Sequence, residues 1–234
     1  MPTREVLYEN FNYNNTLIVT FQARADKMFG TTIEDFKVTL NSLASMGYDV
    51  LKIDDTNDSL YFQGIDSERN SFEKTLEMLS QYMKRYDRTI FMGNCAGAYV
   101  AILLGTMLNV DKVIGVNTMT YLDQNTLIQE GDGRESKITF LDQSKEVLNL
   151  RNHLSKITYK TQIYLIVDQN TPRHLKQSQY ISEYPNISIE YVDSPTPAVG
   201  LYLITNGELI NKIIGKIDPR DGGGGGGIEF PSER

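Results

Sequence analysis

The stretch Thr89 to Val110 carries no charged side chain, and a turn bounded by two glycines, Gly93-Asn94-Cys95-Ala96-Gly97, divides it. The run is long enough to cross a bilayer. However, Gly93, Asn94, Gly97, Gly105 and Asn109 interrupt it, which predicts a buried strand followed by a buried helix instead. The strand is expected over Arg88 to Met92 and the helix over Ala96 to Leu108. A chain that reverses this abruptly brings the helix backbone against the strand backbone. Small residues are then needed two positions before and two positions after the turn's centre, where Gly93 and Gly97 stand. The central side chain, Cys95, is presented at the helix N-terminus, where the dipole favours an anion.

Around this turn, apolar runs alternate with amphipathic stretches, the pattern of parallel strands joined by crossover helices. Val6 to Tyr8 reads as an edge strand, and the β-branched run Thr16 to Phe21 as a buried one. Ile33, Phe36, Leu40, Leu43 and Met46 recur at helical spacing, with Thr32 placed to cap that helix and Gly47 to end it. Further strands are expected at Tyr48–Ile53, Lys112–Val116, Gln162–Val167 and Ile187–Val192. Helices are expected at Ser71–Tyr86, Pro172–Glu183 and Gly207–Ile217. The fold class is therefore α/β, a mostly parallel twisted sheet flanked by helices. Residues 1–217 form one domain, within which Tyr121 to His153 reads as a cap or insertion. In the tail, 218–234, the six glycines Gly222 to Gly227 specify no single backbone conformation and behave as a tether, an engineered linker or a natural arm.

The strand, the G-x-C-x-G turn and the helix together resemble the nucleophile elbow of the α/β-hydrolase superfamily, whose motif is usually G-x-S-x-G. The resemblance covers residues 16 to 217 in a compatible order of strands and helices. It implies that Cys95 occupies the nucleophile position, with Gly93, Asn94 and Gly97 shaping the elbow. The oxyanion hole would then comprise the N–H of Ala96 and that of Gln22 or Ala23. Asp168 stands where the family places its acid. The histidine, implied in the loop after the last strand, is missing, because Asp193 to Gly200 contains none. Of the chain's two histidines, His174 is a weak candidate for the base, and His153 precedes the acid strand. A serine without a base would be inert at neutral pH, whereas a cysteine is partly thiolate in any case.

Composition narrows the remaining function classes. Thirty acidic against 23 basic residues give a formal charge of −7, which argues against nucleic acid as the main partner. Lys84, Arg85 and Arg88 come nearest to a basic patch and read as a solvated helix end. One cysteine excludes an internal disulfide and a Cys/His zinc cluster, and no cofactor is implied. Asp54, Asp55 and Asp58 lack the spacing of a calcium loop and read as a solvated turn. The polar segment Met1 to Asn15 does not resemble a signal peptide, so a reducing interior or a particle assembled inside a cell is expected. Three functions follow. The first is a degenerate hydrolase fold kept for binding, scaffolding or assembly with a protein partner or a second copy of itself. The second is an acyl hydrolase or acyltransferase using Cys95, with a small acyl ligand in the cleft. The third, a phosphate binder at the same turn, lacks both the P-loop Lys-Ser/Thr and G-x-G-x-x-G spacing.

Overall fold

The computed structural model describes residues 7–12, 14–22, 27–28, 31–32, 37–57, 59–133, 136, 138–139, 141–142, 145–195, 202–203 and 208–217. Nine strands lie among them: β1 (Leu7–Asn10), β2 (Thr16–Phe21), β3 (Lys27–Met28), β4 (Thr31–Thr32), β5 (Asp49–Ile53), β6 (Arg88–Asn94), β7 (Lys112–Val116), β8 (Gln162–Asp168) and β9 (Ile187–Val192). The helices are α1 (Lys37–Ser45), α2 (Phe72–Met83), α3 (Ala96–Leu108), α4 (Gln124–Glu130), α5 (Leu150–Lys156), α6 (Pro172–Gln179) and α7 (Glu208–Ile217). Seven strands form one sheet in the order β1-β5-β2-β6-β7-β8-β9. Only β1 runs antiparallel, pairing Leu7 with Ile53 and Asn10 with Val50. The fold is that of an α/β hydrolase: a mostly parallel sheet with helices on both faces.

The period-two geometry of the strands divides the core between the two faces. Leu17, Val19 and Phe21 of β2 join Phe91, Tyr99, Leu103 and Leu154 on one side, whereas Ile18 joins Val50, Ile90 and Ile114 on the other. The second face is covered by Leu40 and Leu43 of α1 and by Leu209, Ile210, Ile213 and Ile217 of α7. On the first face lies α3, buried continuously from Ala96 to Thr106. A helix apolar all round belongs inside a domain, which explains the uncharged run from Thr89. Among the described residues no helix is long and apolar enough to cross a membrane.

Several boundaries differ from the sequence reading. Thr32 pairs with Lys27 in the two-residue ladder β3–β4, too short to leave a periodic signal, and residues 33–36, between it and α1, lie outside the described set. Gly47 does end α1, at φ +91° with its N–H donating to the Ala44 carbonyl (2.9 Å). The β6 strand runs on to Asn94, because pairing with β7 continues through Val116. The helix expected to reach Tyr86 stops at Met83, and α6 ends at Gln179. Between Tyr121 and His153, the stretch read as a cap or insertion, the described residues include α4, a 3-10 turn (Glu146–Leu148) and the start of α5. Leu127, Ile138, Leu141, Leu148 and Leu150 of this segment enter the same apolar cluster as β2 and α3. The tail, 218–234, lies outside the described residues.

Candidate functional site

Cys95 sits between β6 and α3 at φ 52°, ψ −113°, a backbone conformation that L-residues rarely adopt. Holding a non-glycine residue there costs of order 1–3 kcal/mol, so the surroundings must impose it. The Cys95 N–H donates to the Val116 carbonyl at the end of β7 (2.9 Å). Its carbonyl accepts from the amides of Tyr99 (3.2 Å) and Met119 (3.3 Å). The glycines make the turn sterically possible. A Cβ on Gly93 would lie 2.3 Å from the Gly97 carbonyl group, and one on Gly97 would lie 2.2 Å from the Phe21 carbonyl oxygen. Cys95 itself is half-buried, as is Asn94 before it.

A positive-φ turn after β7 ties the Cys95 turn to β8. Asn117, at φ 46°, follows β7 and donates its N–H to the Ile166 carbonyl (2.9 Å), while its side-chain oxygen accepts the Asp168 N–H (3.1 Å). Asp168 is buried at the carboxyl end of β8. Its Oδ1 accepts the Asn170 N–H (3.0 Å) and its Oδ2 accepts the Thr171 hydroxyl. Asn170 in turn donates to Asp193 Oδ1 (2.7 Å) and to the Ser194 carbonyl (3.1 Å), so the chain leaving β9 is pinned to the loop after β8.

The oxyanion residues separate. Ala96 opens α3, where its N–H has no intrahelical carbonyl to bond. The Gln22 N–H, by contrast, continues the ladder beyond Phe21 and donates to the Ile53 carbonyl (3.2 Å). That engagement leaves Ala23 as the second candidate, and Ala23 lies outside the described residues.

The two histidines lie on different helices, α5 and α6. His153 is buried in α5, with Nε2 3.0 Å from the Thr106 hydroxyl. Thr106 is eleven residues along α3 from Cys95, about 16 Å at the helical rise. The Thr106 hydroxyl donates to the Ile102 carbonyl (2.7 Å), so His153 serves as the donor through Nε2–H. Burial holds its pKa below the ordinary value. His174 is half-buried in the first turn of α6, its N–H donating to the Thr171 carbonyl (3.0 Å).

The loop from Asp54 to Ser71 is more highly ordered than its polar sequence suggests. Asp55 is half-buried and held by the backbone. Its carboxylate accepts the N–H groups of Asn57 (3.0 Å), Ser59 (2.7 Å) and Tyr61 (2.8 Å), and burial raises its pKa. The Tyr61 hydroxyl donates to the Gln22 (3.2 Å) and Ile53 (3.0 Å) carbonyls, fastening the loop over the end of β2. Phe62 reaches the first turn of α3, its ring centroid 6.5 Å from that of Tyr99. From the other side, the Tyr99 hydroxyl donates to the Val147 carbonyl. Two segments thus converge on the helix that begins at Cys95. The carboxylate spacing was visible in the sequence, but its partners are backbone amides, which no side-chain motif reveals. Asp58 lies outside the described residues, among which no cluster of His, Cys, Asp and Glu suits a metal ion.

No family model matches the sequence, and no curated protein matches it. Solved structures do match. A capsule O-acetyltransferase of Neisseria meningitidis serogroup A superposes with a TM-score of 0.59 at 17% identity, over 88% of this chain and 90% of that one. MGS-MChE2, an α/β hydrolase enzyme from the metagenome of lagoon sediments at Mar Chica, Morocco, gives 0.57 at 16% identity, over 92% and 95%. The glycosylation-associated Gap123 complex from Streptococcus agalactiae gives 0.57 at 15% identity, over 89% of this chain and 44% of that one. At these identities the likeness is one of fold.

Proposed function

We propose that this chain uses the α/β-hydrolase scaffold for binding or assembly, with Cys95 in the nucleophile position and no base to serve it. The observation that carries this reading is the bonding of Asp168. Each carboxylate oxygen accepts from its own loop, from Asn170 and Thr171, where an acid in a working triad accepts from an imidazole. The segment that would bring the imidazole begins with Asp193 and Ser194, both bonded by Asn170, and has no histidine as far as Gly200. General-base catalysis is worth about 10²–10⁴ in rate, so its loss removes both activation of the thiol and activation of the water that deacylates it. The partner class is a protein or a second copy of the chain, since a net charge of −7 repels nucleic acid. That a similar fold occurs within the Gap123 complex supports a role in assembly.

A second reading draws on one specific observation, the strained backbone of Cys95. Strain of that kind gathers at functional sites, and similar folds include an O-acetyltransferase and an α/β hydrolase enzyme. In this reading the Cys95 thiolate attacks an acyl carbonyl, the alkoxide leaves with a proton, and the thioester passes its acyl group to an acceptor.

Intact-mass analysis after incubation with p-nitrophenyl acetate and with a fluorophosphonate separates the two. The binding reading expects no adduct beyond that formed by Cys95→Ala. A stoichiometric adduct on Cys95, absent from the variant, overturns it in favour of acyl transfer.

A further inference from the structure

At the amino end of α2 the molecule holds a cleft of about 530 Å³ between the 54–71 loop, the first turn of α2 and Lys145. That volume is in the range of small-molecule sites. Its lining includes neither Cys95 nor Asp168. The wall is rigid. Besides the Asp55 bonds described above, Asp66 accepts the N–H groups of Glu68 (3.0 Å) and Arg69 (2.6 Å) and pairs with the Arg69 guanidinium. Leu60 and Tyr61 are held at φ 55° and 66° in succession, a strained arrangement that persists only where the surroundings impose it.

The groups this wall presents point to one ligand chemistry. Phe62 and Phe72 stack 6.0 Å apart at 15°, Phe62 buried and Phe72 half-buried, giving an apolar patch. Around it stand the carboxamides of Asn57, Gln63 and Asn70, all exposed. Among the described residues the Gln63 carboxamide and the Ser67 hydroxyl bond to no other part of the chain. Asn70 commits its Oδ1 to Lys74 Nζ (2.9 Å), which leaves its amide hydrogens to a ligand. Charge is nearly balanced, since Asp66 is neutralised by Arg69, and Glu73 and Lys145 both line the cleft, the Lys145 ammonium 5.9 Å from the Phe62 ring. A phosphate ligand would meet two carboxylates here, and a hydrocarbon would leave the amides unsatisfied. Dense paired donors and acceptors around an aromatic patch suit a molecule with many hydroxyls and an apolar C–H face.

We propose that this cleft binds a neutral saccharide of one or two pyranose rings. The inference names a ligand class for the binding role above and rests on that reading. Saturation-transfer NMR on the full chain tests it, with glucose, galactose, mannose and N-acetylglucosamine each at about 10 mM, where a millimolar site is mostly filled. At least one sugar should receive saturation. Gln63→Ala and Asn70→Ala, both at exposed positions, should each weaken its binding about three- to ten-fold, the loss of one or two neutral hydrogen bonds. Saturation transfer absent from every sugar, or undiminished in both variants, overturns the proposal. The thiol-labelling result does not depend on this readout, so failure of the saccharide proposal and failure of the binding reading are told apart.

Discussion

Replacing Gly97 by alanine sets two effects of opposite sign against each other. Gly97 is the second residue of α3, and on helix propensity alone alanine would be better there by up to about 1 kcal/mol. The close approach of backbones predicts the reverse. The added Cβ would lie 2.2 Å from the Phe21 carbonyl oxygen and 2.9 Å from that of Gln22, whereas ordinary contact begins at 3.4 Å. Either α3 or the end of β2 must therefore retreat by about 1 Å. Neither is free to do so: β2 is paired on both sides, with β5 and β6, and the next residues of α3 are buried on all faces. Overpacking costs about 1–3 kcal/mol, and with backbone on both sides of the clash the cost falls at the upper end. After the propensity gain, a net loss of about 2 kcal/mol remains. With a urea slope of about 2 kcal/mol per molar, the unfolding midpoint should fall by about 1 M. Gly131→Ala is the companion measurement, since Gly131 has φ +63° but nothing within 4 Å of its Cβ position. It should cost only the left-handed conformation, about 1 kcal/mol. A midpoint for Gly97→Ala equal to or above that of the unaltered protein would refute the steric account of the elbow.

Two other predictions test the same site and its surroundings. Cys95→Gly should raise the melting temperature by about 2–4 °C, because glycine adopts φ 52°, ψ −113° without the strain, worth about 1 kcal/mol; a lowered melting temperature would show that the thiol's packing outweighs the backbone. Stability should fall as the pH drops below about 6.5, the ordinary histidine value, because the unfolded chain takes up a proton that buried His153 refuses until a lower pH. Denaturation at several pH values should show a shallower acid slope for His153→Gln, and an unchanged slope would assign the acid loss to other groups.

What was legible in the sequence follows from burial. Thr16–Phe21, Ala96–Leu108, Lys112–Val116 and Ile187–Val192 were placed from composition to the residue, the first three because their apolar side chains are enclosed on every side available. The tight turn from β6 to α3 was legible because its constraint is steric and falls on two glycines at fixed offsets from Cys95. The short helical elements between Tyr121 and Lys156 were not. The segment around α4, the 3-10 turn and α5 is held by side-chain bonds that cross between elements. Asn149 is the clearest case: its Nδ2 donates to Asp123 Oδ2 and to the Tyr180 hydroxyl, both at 3.0 Å. Periodicity cannot report such partners, because they lie 26 and 31 residues away. For the same reason the cleft beside α2 left no trace in the sequence, since Asp55 and Asp66 shape it through amides of their own loop.

The end of α7 also fixes how this molecule can be handled. Arg88 and Lys112, at the starts of β6 and β7, donate to the last carbonyls of the helix, at Lys216 and Ile217. Ile217 is thereby docked at the amino pole of the sheet, while Cys95 follows the carboxyl end of the seven-residue strand β6, about 20 Å away. A sensor surface or affinity resin joined to the chain directly after Ile217 would hold the protein by the pole remote from Cys95. Immobilised in that orientation, it would present its elbow to the flowing analyte, whereas random coupling through lysines would mask part of the population.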